Sequence, residues 1–118
     1  ENLSTGANIR LTASGKNGRS RAFQKQLKEG LLRMGLADCM NQPVRELSGG
    51  MRRRTAILRA LYADWDILFL DEPFQGLDME TKKEAAAFVR EQCRGKTVLC
   101  VTHDEREAEM LDAKILVL

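Results

Sequence analysis

The sequence predicts an α/β fold, with a helical part over residues 1–64 followed by a parallel sheet with helices over residues 65–118. Three observations carry this. Ile67 to Leu70, Thr97 to Val101 and Ile115 to Leu118 are short, nearly continuous apolar runs, the pattern of parallel strands buried on both faces. Between the first two runs lies a stretch of helical period, 79–94. Between the last two lies Asp104-Glu105-Arg106-Glu107, which resembles a capping box opening a short helix. Upstream of residue 65 the apolar residues recur at helical spacing instead.

The elements follow in order. Residues 4–20 are rich in Gly, Ser, Asn and Thr and read as loop around a short extended or helical piece at Ile9-Arg10-Leu11. From Arg21 to Met34, Leu27, Leu31, Leu32 and Met34 make a helical stripe, and Gly35 suits the stop. A connector containing Pro43 spans 38–45. The next helix, about 50–63, has apolar positions at Met51, Thr55, Leu58, Leu61 and Tyr62, with Ser48 suited to its N-cap. The strand 66–71 comes next, ended by Pro73, which has no N–H to give a sheet. Helix 79–94 is capped by Asp78. Glu80 in its first turn and Arg90 and Arg94 in its last match the helix dipole, and Gly95 ends it. Its apolar face is Ala85, Phe88, Val89 and Cys93. No internal repeat is present.

Composition places the chain among globular domains. Of its 118 residues 43% are hydrophobic and 31% charged, and the net charge is +2, which implies neither disorder nor a membrane span. No apolar run approaches the ~20 residues that cross a bilayer, and no signal peptide is visible. The three cysteines, Cys39, Cys93 and Cys100, lack metal or CxxC spacing and read as small buried residues in a reducing compartment. Residues 10–33 hold seven Lys/Arg against Glu29, while 62–112 hold thirteen Asp/Glu against six Lys/Arg. Two solvated faces account for this. Nucleic acid is not expected as a partner, because the basic stretch has a single aromatic, Phe23, and no recognised reading module.

Two motifs carry chemistry. Asp71 and Glu72 end an apolar strand at its C-terminal edge, where open α/β sheets bind their ligands. Paired acids there suit an Mg²⁺–phosphate site, one acid near the metal and one near an attacking water. Ser48-Gly49-Gly50 opens a helix, whose N-terminal N–H groups and positive dipole end suit an anion. His103, the chain's one histidine, ends the neighbouring strand and can donate a hydrogen bond to a phosphate or to the water.

In their order, these motifs resemble the nucleotide-binding domain of ATP-binding cassette (ABC) ATPases. Leu47-Ser48-Gly49-Gly50 is similar to the family signature and Ile67 to Glu72 to its Walker B strand. Gly76-Leu77-Asp78 is similar to the D-loop and Val101-Thr102-His103-Asp104 to the switch-histidine loop. The resemblance implies a partial P-loop NTPase-type sheet preceded by a helical signature subdomain. Glu46 to Met51, with Pro73-Phe74 after the acids, looks most like systems that import small solutes. Met51 stands where the family more often has Gln. A P-loop, Gly-x-x-x-x-Gly-Lys-Ser/Thr, is absent: Gly15-Lys16 is followed by Asn17 with Arg10 in the leading position, and Gly95-Lys96-Thr97 has Arg90 there and opens a strand. Glu1-Asn2-Leu3 resembles the residues that follow the family's glutamine loop, so the chain reads as a fragment starting after both.

The resemblance assigns roles. Asp71 binds Mg²⁺ through water, Glu72 orients or deprotonates the attacking water, and His103 assists at the γ-phosphate. Ser48, Gly49 and Gly50 hold the ATP of a second nucleotide-binding subunit, with Asp78 along that interface. Arg52 to Arg54 are read as a solvated helix start and not as a phosphate clamp. The implied cofactors are ATP and Mg²⁺, and the implied partners a second nucleotide-binding subunit and transmembrane permease subunits. The implied location is cytoplasmic, at the inner face of the membrane. The function expected is an importer ATPase, inactive in this fragment without its P-loop portion. Two alternatives stay open: a non-catalytic module lending its signature in trans or docking a membrane subunit, and a soluble ABC ATPase of DNA repair or translation.

Overall fold

The computed structural model describes residues 3–11, 13 and 20–116. Glu1-Asn2, Gly15-Lys16-Asn17 and the last two residues of the expected third strand, Val117-Leu118, lie outside the described residues. Helices α1 (Thr5–Arg10), α2 (Arg21–Arg33) and α3 (Gly49–Leu61) come first, then strand β1 (Ile67–Asp71), helix α4 (Met79–Gln92), strand β2 (Thr97–Val101) and helix α5 (Glu105–Met110). Two short 3₁₀ turns, Ala37–Cys39 and Val44–Glu46, form the connector between α2 and α3.

Each helix starts on a side chain that accepts an otherwise orphaned N–H. Ser4, Ser20, Ser48, Asp78 and Asp104 cap α1 to α5 in turn. Gly35 and Gly95 follow α2 and α4 in the left-handed conformation, at φ 72° and 78°. The Gly- and Ser-rich start condenses into α1 because long-range bonds hold it. The Thr5 N–H and hydroxyl both donate to the Gln42 carbonyl, at 2.8 and 2.9 Å, and the Gly6 N–H to that of Met40 at 2.9 Å.

Among the described residues β1 and β2 form a two-stranded parallel sheet, in register from Ile67 opposite Thr97 to Asp71 opposite Val101, with α4 as the crossover. The expectation of burial on both faces is corrected here. Leu68 and Leu70 are buried, but Ile67 and Phe69 on the other face are exposed, Phe69 by 72%, as are Leu99 and Val101 of β2. The described helices leave that face open. The third strand is corrected too: Ile115 and Leu116 are exposed and unpaired. Their composition suits a strand, but a strand needs a neighbour to complete its ladder, and none is offered among the described residues. Leu32, placed on the apolar stripe of α2, is also exposed. It points about 100° round the helix from Leu31, off the narrow buried face that takes Phe23, Leu27, Gly30 and Leu31.

One hydrophobic cluster runs through both halves of the chain, joining Ile9, Leu27, Leu31 and Leu58 to Leu70, Phe74, Phe88 and Val89. Arg33 of α2 closes it on the outside. Its guanidinium lies over the Phe88 ring at 5.5 Å and pairs with Glu84 and, at 2.6 Å, with Glu91 of α4. The hydrogen bond with Glu91 raises the Arg33 pKa and lowers that of Glu91.

Candidate functional site

The carboxylates sit where β1 stops. Asp71 is its last residue and is exposed. Glu72 then takes a left-handed backbone, φ 46°, while its N–H donates to the Val101 carbonyl at 2.8 Å. For a residue with a Cβ that conformation costs on the order of 1–3 kcal/mol and is held only by its surroundings. The surroundings are clear: the next two residues, Pro73 and Phe74, are fully buried and fix the turn. The twist separates the two acids. Asp71 faces solvent, whereas Glu72 turns towards the end of β2, with its side chain 22% exposed.

There it meets His103. The imidazole Nε2 lies 3.4 Å from Glu72 Oε1, and the ring is 92% exposed. Glu72 Oε1 is buried and accepts no hydrogen bond. The 3.4 Å approach is therefore a contact of opposite polarity and not a formed hydrogen bond. An orphaned carboxylate oxygen beside an exposed imidazole leaves one acceptor for a water or a metal-bound group. Glu72 and His103 are thus brought together at the C-terminal end of the parallel strands, with Asp71 facing solvent one residue earlier.

The Ser48-Gly49-Gly50 group is separate from them. Among the described residues no hydrogen bond or ion pair links it to Asp71, Glu72 or His103. The Ser48 hydroxyl accepts the Met51 N–H at 3.2 Å, as an N-cap should. A Cβ added at Gly49 or Gly50 would meet nothing within 4 Å, and neither has a left-handed backbone. Neither internal packing nor backbone geometry asks for glycine at these positions, and a ligand or partner approaching the helix start would.

Asp78 caps α4. Its carboxylate accepts the Thr81 N–H at 2.7 Å. Hydrogen bonds from Thr81, and at longer range the charge of Arg54, hold the Asp78 pKa below its ordinary value. Arg54 corrects the view of 52–54 as a wholly solvated helix start. Arg52 and Arg53 are exposed, but Arg54 is half-buried, its Nε has no hydrogen-bond partner, and burial lowers its pKa.

The sequence reading missed Lys82, Thr102 and Glu107. Glu107, taken there for the far half of a capping box, is 3% exposed and accepts the Thr102 hydroxyl at 2.6 Å. Lys82 Nζ lies 3.0 Å from its other oxygen. The cap of α5 comes from Asp104, through the Arg106 N–H at 2.9 Å. Only spatial proximity reveals this cluster, since nothing in residue order joins Lys82 to Glu107. Of the three cysteines expected to be buried, Cys39 is buried and Cys93 and Cys100 are half-buried; burial pushes the Cys100 pKa up to about 11 and also raises those of Cys39 and Cys93.

Among the described residues no group of three or more His, Cys, Asp or Glu is arranged to hold a metal. Asp71, exposed at the strand end, supplies a single carboxylate. That donor set fits Mg²⁺, which keeps several waters and takes phosphate oxygens for the rest.

A protein-family model described as ABC transporter matches residues 2–75. The macrolide export ATP-binding/permease protein MacB of Salmonella typhimurium (strain LT2) is 35% identical over 122 residues, covering 97% of this chain and 19% of that protein. The thiamine import ATP-binding protein ThiQ of Histophilus somni (strain 129Pt) is 42% identical over 85 residues, covering 70% of this chain and 40% of that one. Among solved structures, an ATP-binding cassette determined as a dimer in a post-hydrolysis state with ADP and Pi superposes with a TM-score of 0.73 at 30% identity. It covers 92% of this chain and 49% of that one. The chain spans less than half the length of the curated relatives it matches, from 10% to 48%.

Proposed function

Because this chain belongs to the ABC transporter family, we propose that it forms the signature- and carboxylate-bearing part of a subunit that hydrolyses ATP to drive solute transport. The observation that carries this is the meeting of Glu72 and His103 at 3.4 Å, at the C-terminal end of two parallel strands, with a buried Glu72 oxygen left unbonded. Glu72 orients the attacking water and takes its proton on that free oxygen. His103, exposed at the rim, donates to the γ-phosphate or the water. Asp71 faces solvent from the strand end and would hold Mg²⁺ through water. When bound there, Mg²⁺ would supply positive charge against the phosphates of the nucleotide.

Ser48, Gly49 and Gly50 serve a different nucleotide, one held by the P-loop of a second subunit, and Asp78 lines the junction. The open space over both glycines supports this division, as does the dimeric state of the solved cassette. The same reading makes 1–64 the subdomain that meets the permease and 65–118 the hydrolytic half. It puts the protein at the inner face of the membrane; among the described residues no helix is long and apolar enough to cross one. Steady-state ATPase assays on the whole protein test it. Glu72→Gln should lower turnover by at least ~10²-fold while MgATP binding persists, and undiminished turnover would reject the assignment.

Import is favoured for the direction of transport, on the wording around Pro73-Phe74 and the likeness to a thiamine import protein. Export is the second reading, since a macrolide export protein matches nearly the whole chain. Transport in proteoliposomes distinguishes them by whether solute moves towards or away from the side on which ATP is supplied.

A further inference from the structure

We infer that Thr102, Glu107 and Lys82 are positioning residues for His103, tying the loop that carries it to the first turns of α4. The inference rests on the reading of Glu72 and His103 given above.

His103 has no packing of its own, since its side chain is 92% exposed. Its place over Glu72 must come from the residues on either side. Thr102 donates its hydroxyl proton to Glu107 Oε1 at 2.6 Å. The Thr102 Oγ1 in turn accepts the Asp104 N–H at 3.1 Å. A hydroxyl has one proton to give and lone pairs to receive, so the donation to Glu107 directs it into both bonds at once. Asp104 is held further by Lys82 Nζ at 3.7 Å and by Arg106 at 3.0 Å. Both neighbours of His103 are thereby pinned.

Glu107 is the anchor. A carboxylate 3% exposed is costly unless both oxygens are engaged. Here Oε1 faces Thr102 and Oε2 faces Lys82 at 3.0 Å. Capping does not account for this burial, because Asp104 caps α5 without it. Lys82 links the anchor to α4, where its N–H donates to the Asp78 carbonyl at 2.9 Å. A path of direct contacts therefore runs from Asp78 through Lys82 and Glu107 to Thr102, and so to the histidine facing Glu72.

The test uses the protein as expressed from its gene, with its partner subunits. Thr102→Val keeps the shape but removes the hydroxyl, and Thr102→Ser restores it. Thr102→Val should lower kcat about 10- to 100-fold, the scale for small misplacement of a reacting group, with KM for ATP unchanged. Thr102→Ser should recover the rate. Combined with His103→Ala, Thr102→Val should add no further loss, since both act through one group. Glu107→Gln keeps an acceptor for Thr102 but drops the charge facing Lys82, and should give a smaller loss in kcat of the same kind. A crystal structure of Thr102→Val should show His103 withdrawn from Glu72. Wild-type kcat in both Thr102→Val and Glu107→Gln, additive losses with His103→Ala, or an unmoved His103 in the crystal would each overturn the inference. If the wild-type protein hydrolyses no ATP, the proposed function fails instead, and the crystal structure still decides whether the network positions His103.

Discussion

Glu72 holds a left-handed backbone that a glycine would take at no steric cost, which marks it as a position kept for its side chain. In the whole protein, Glu72→Gln should lower ATP turnover by at least ~10²-fold with nucleotide binding retained, the scale for losing a general base. Asp71→Asn should instead weaken Mg²⁺ dependence and binding together. Titrating Mg²⁺ at fixed ATP in both variants separates the two roles, and identical profiles would mean the acids are not divided as assigned. Gly30 makes a structural case of the same kind. A Cβ there runs into the Tyr62 hydroxyl, which donates to the Gln26 carbonyl at 2.9 Å. The added Cβ would also meet Leu58 Cδ2 at 3.1 Å and Phe88 Cζ at 3.3 Å, so more than one side chain must shift. Gly30→Ala should therefore destabilise the fold by about 1–2 kcal/mol in denaturant titration, overpacking outweighing the helix propensity gained. An unchanged midpoint would show that the ring moves freely. Of the residues proposed for the site, Ser48, Asp71, Glu72, Asp78 and His103 could be named from sequence because they belong to ordered motifs. Glu107 and Arg54 were not. A buried acid and a solvated one look alike in a sequence, and only packing distinguishes them.

Caps and turns were the most legible elements, because their causes lie within four residues of each other. Asp78 and Ser48 were both placed at helix starts on residue type, and both accept the third N–H of the following helix. Ser48→Ala should cost about 1 kcal/mol of stability through the lost cap of α3, measurable by denaturant titration. The cap of α4 is charged. Its hydrogen bonds from Thr81 lower the Asp78 pKa from the ordinary 3.8, so the folded state favours the carboxylate. The stabilisation is complete above the unfolded pKa and is lost as pH falls through the lower folded value. Asp78→Asn retains an acceptor but does not titrate, so its stability should fall less steeply with acid over about pH 5 to 2. Parallel curves for the two proteins would show that the charge of the cap contributes nothing. Elements that depend on distant partners were less legible. Helix α1 forms in a Gly- and Ser-rich segment because residues 40 and 42 supply its bonds. Ile115-Leu116 stays unpaired for the opposite reason.

At the scale of the whole molecule the sheet is the informative part. Two of the three apolar runs, Ile67 to Leu70 and Thr97 to Val101, are strands among the described residues, and the runs also implied cover on two faces. One face received it. Ile67, Phe69, Leu99 and Val101 form a continuous row on the other, every one more than half exposed. The groups that grip the β-phosphate are absent from these residues as well, since no Gly-x-x-x-x-Gly-Lys-Ser/Thr occurs. The 118-residue chain prepared by itself should give no micromolar isotherm with MgATP, and a clear one would mean that some other segment does the P-loop's work. The open face leads to the firmer expectation. Apolar surface returned to water costs ~25 cal/mol per Å², against a net stability of only ~5–15 kcal/mol for an ordinary domain. Two parallel strands also leave unpaired edges, which template pairing with another chain. Contact between two copies would cover the row of Ile67, Phe69, Leu99 and Val101 and satisfy an edge in one step. The isolated chain should accordingly sediment as a dimer or larger species, with a mass that rises with concentration. Phe69→Lys, which puts a charge in the middle of the row, should shift it towards monomer without unfolding it, because Phe69 contributes little to the core on the buried face. A wild-type chain that stays monomeric across the series and melts cooperatively would show that the exposed row is tolerated, and that cover for this face is not what the fold lacks.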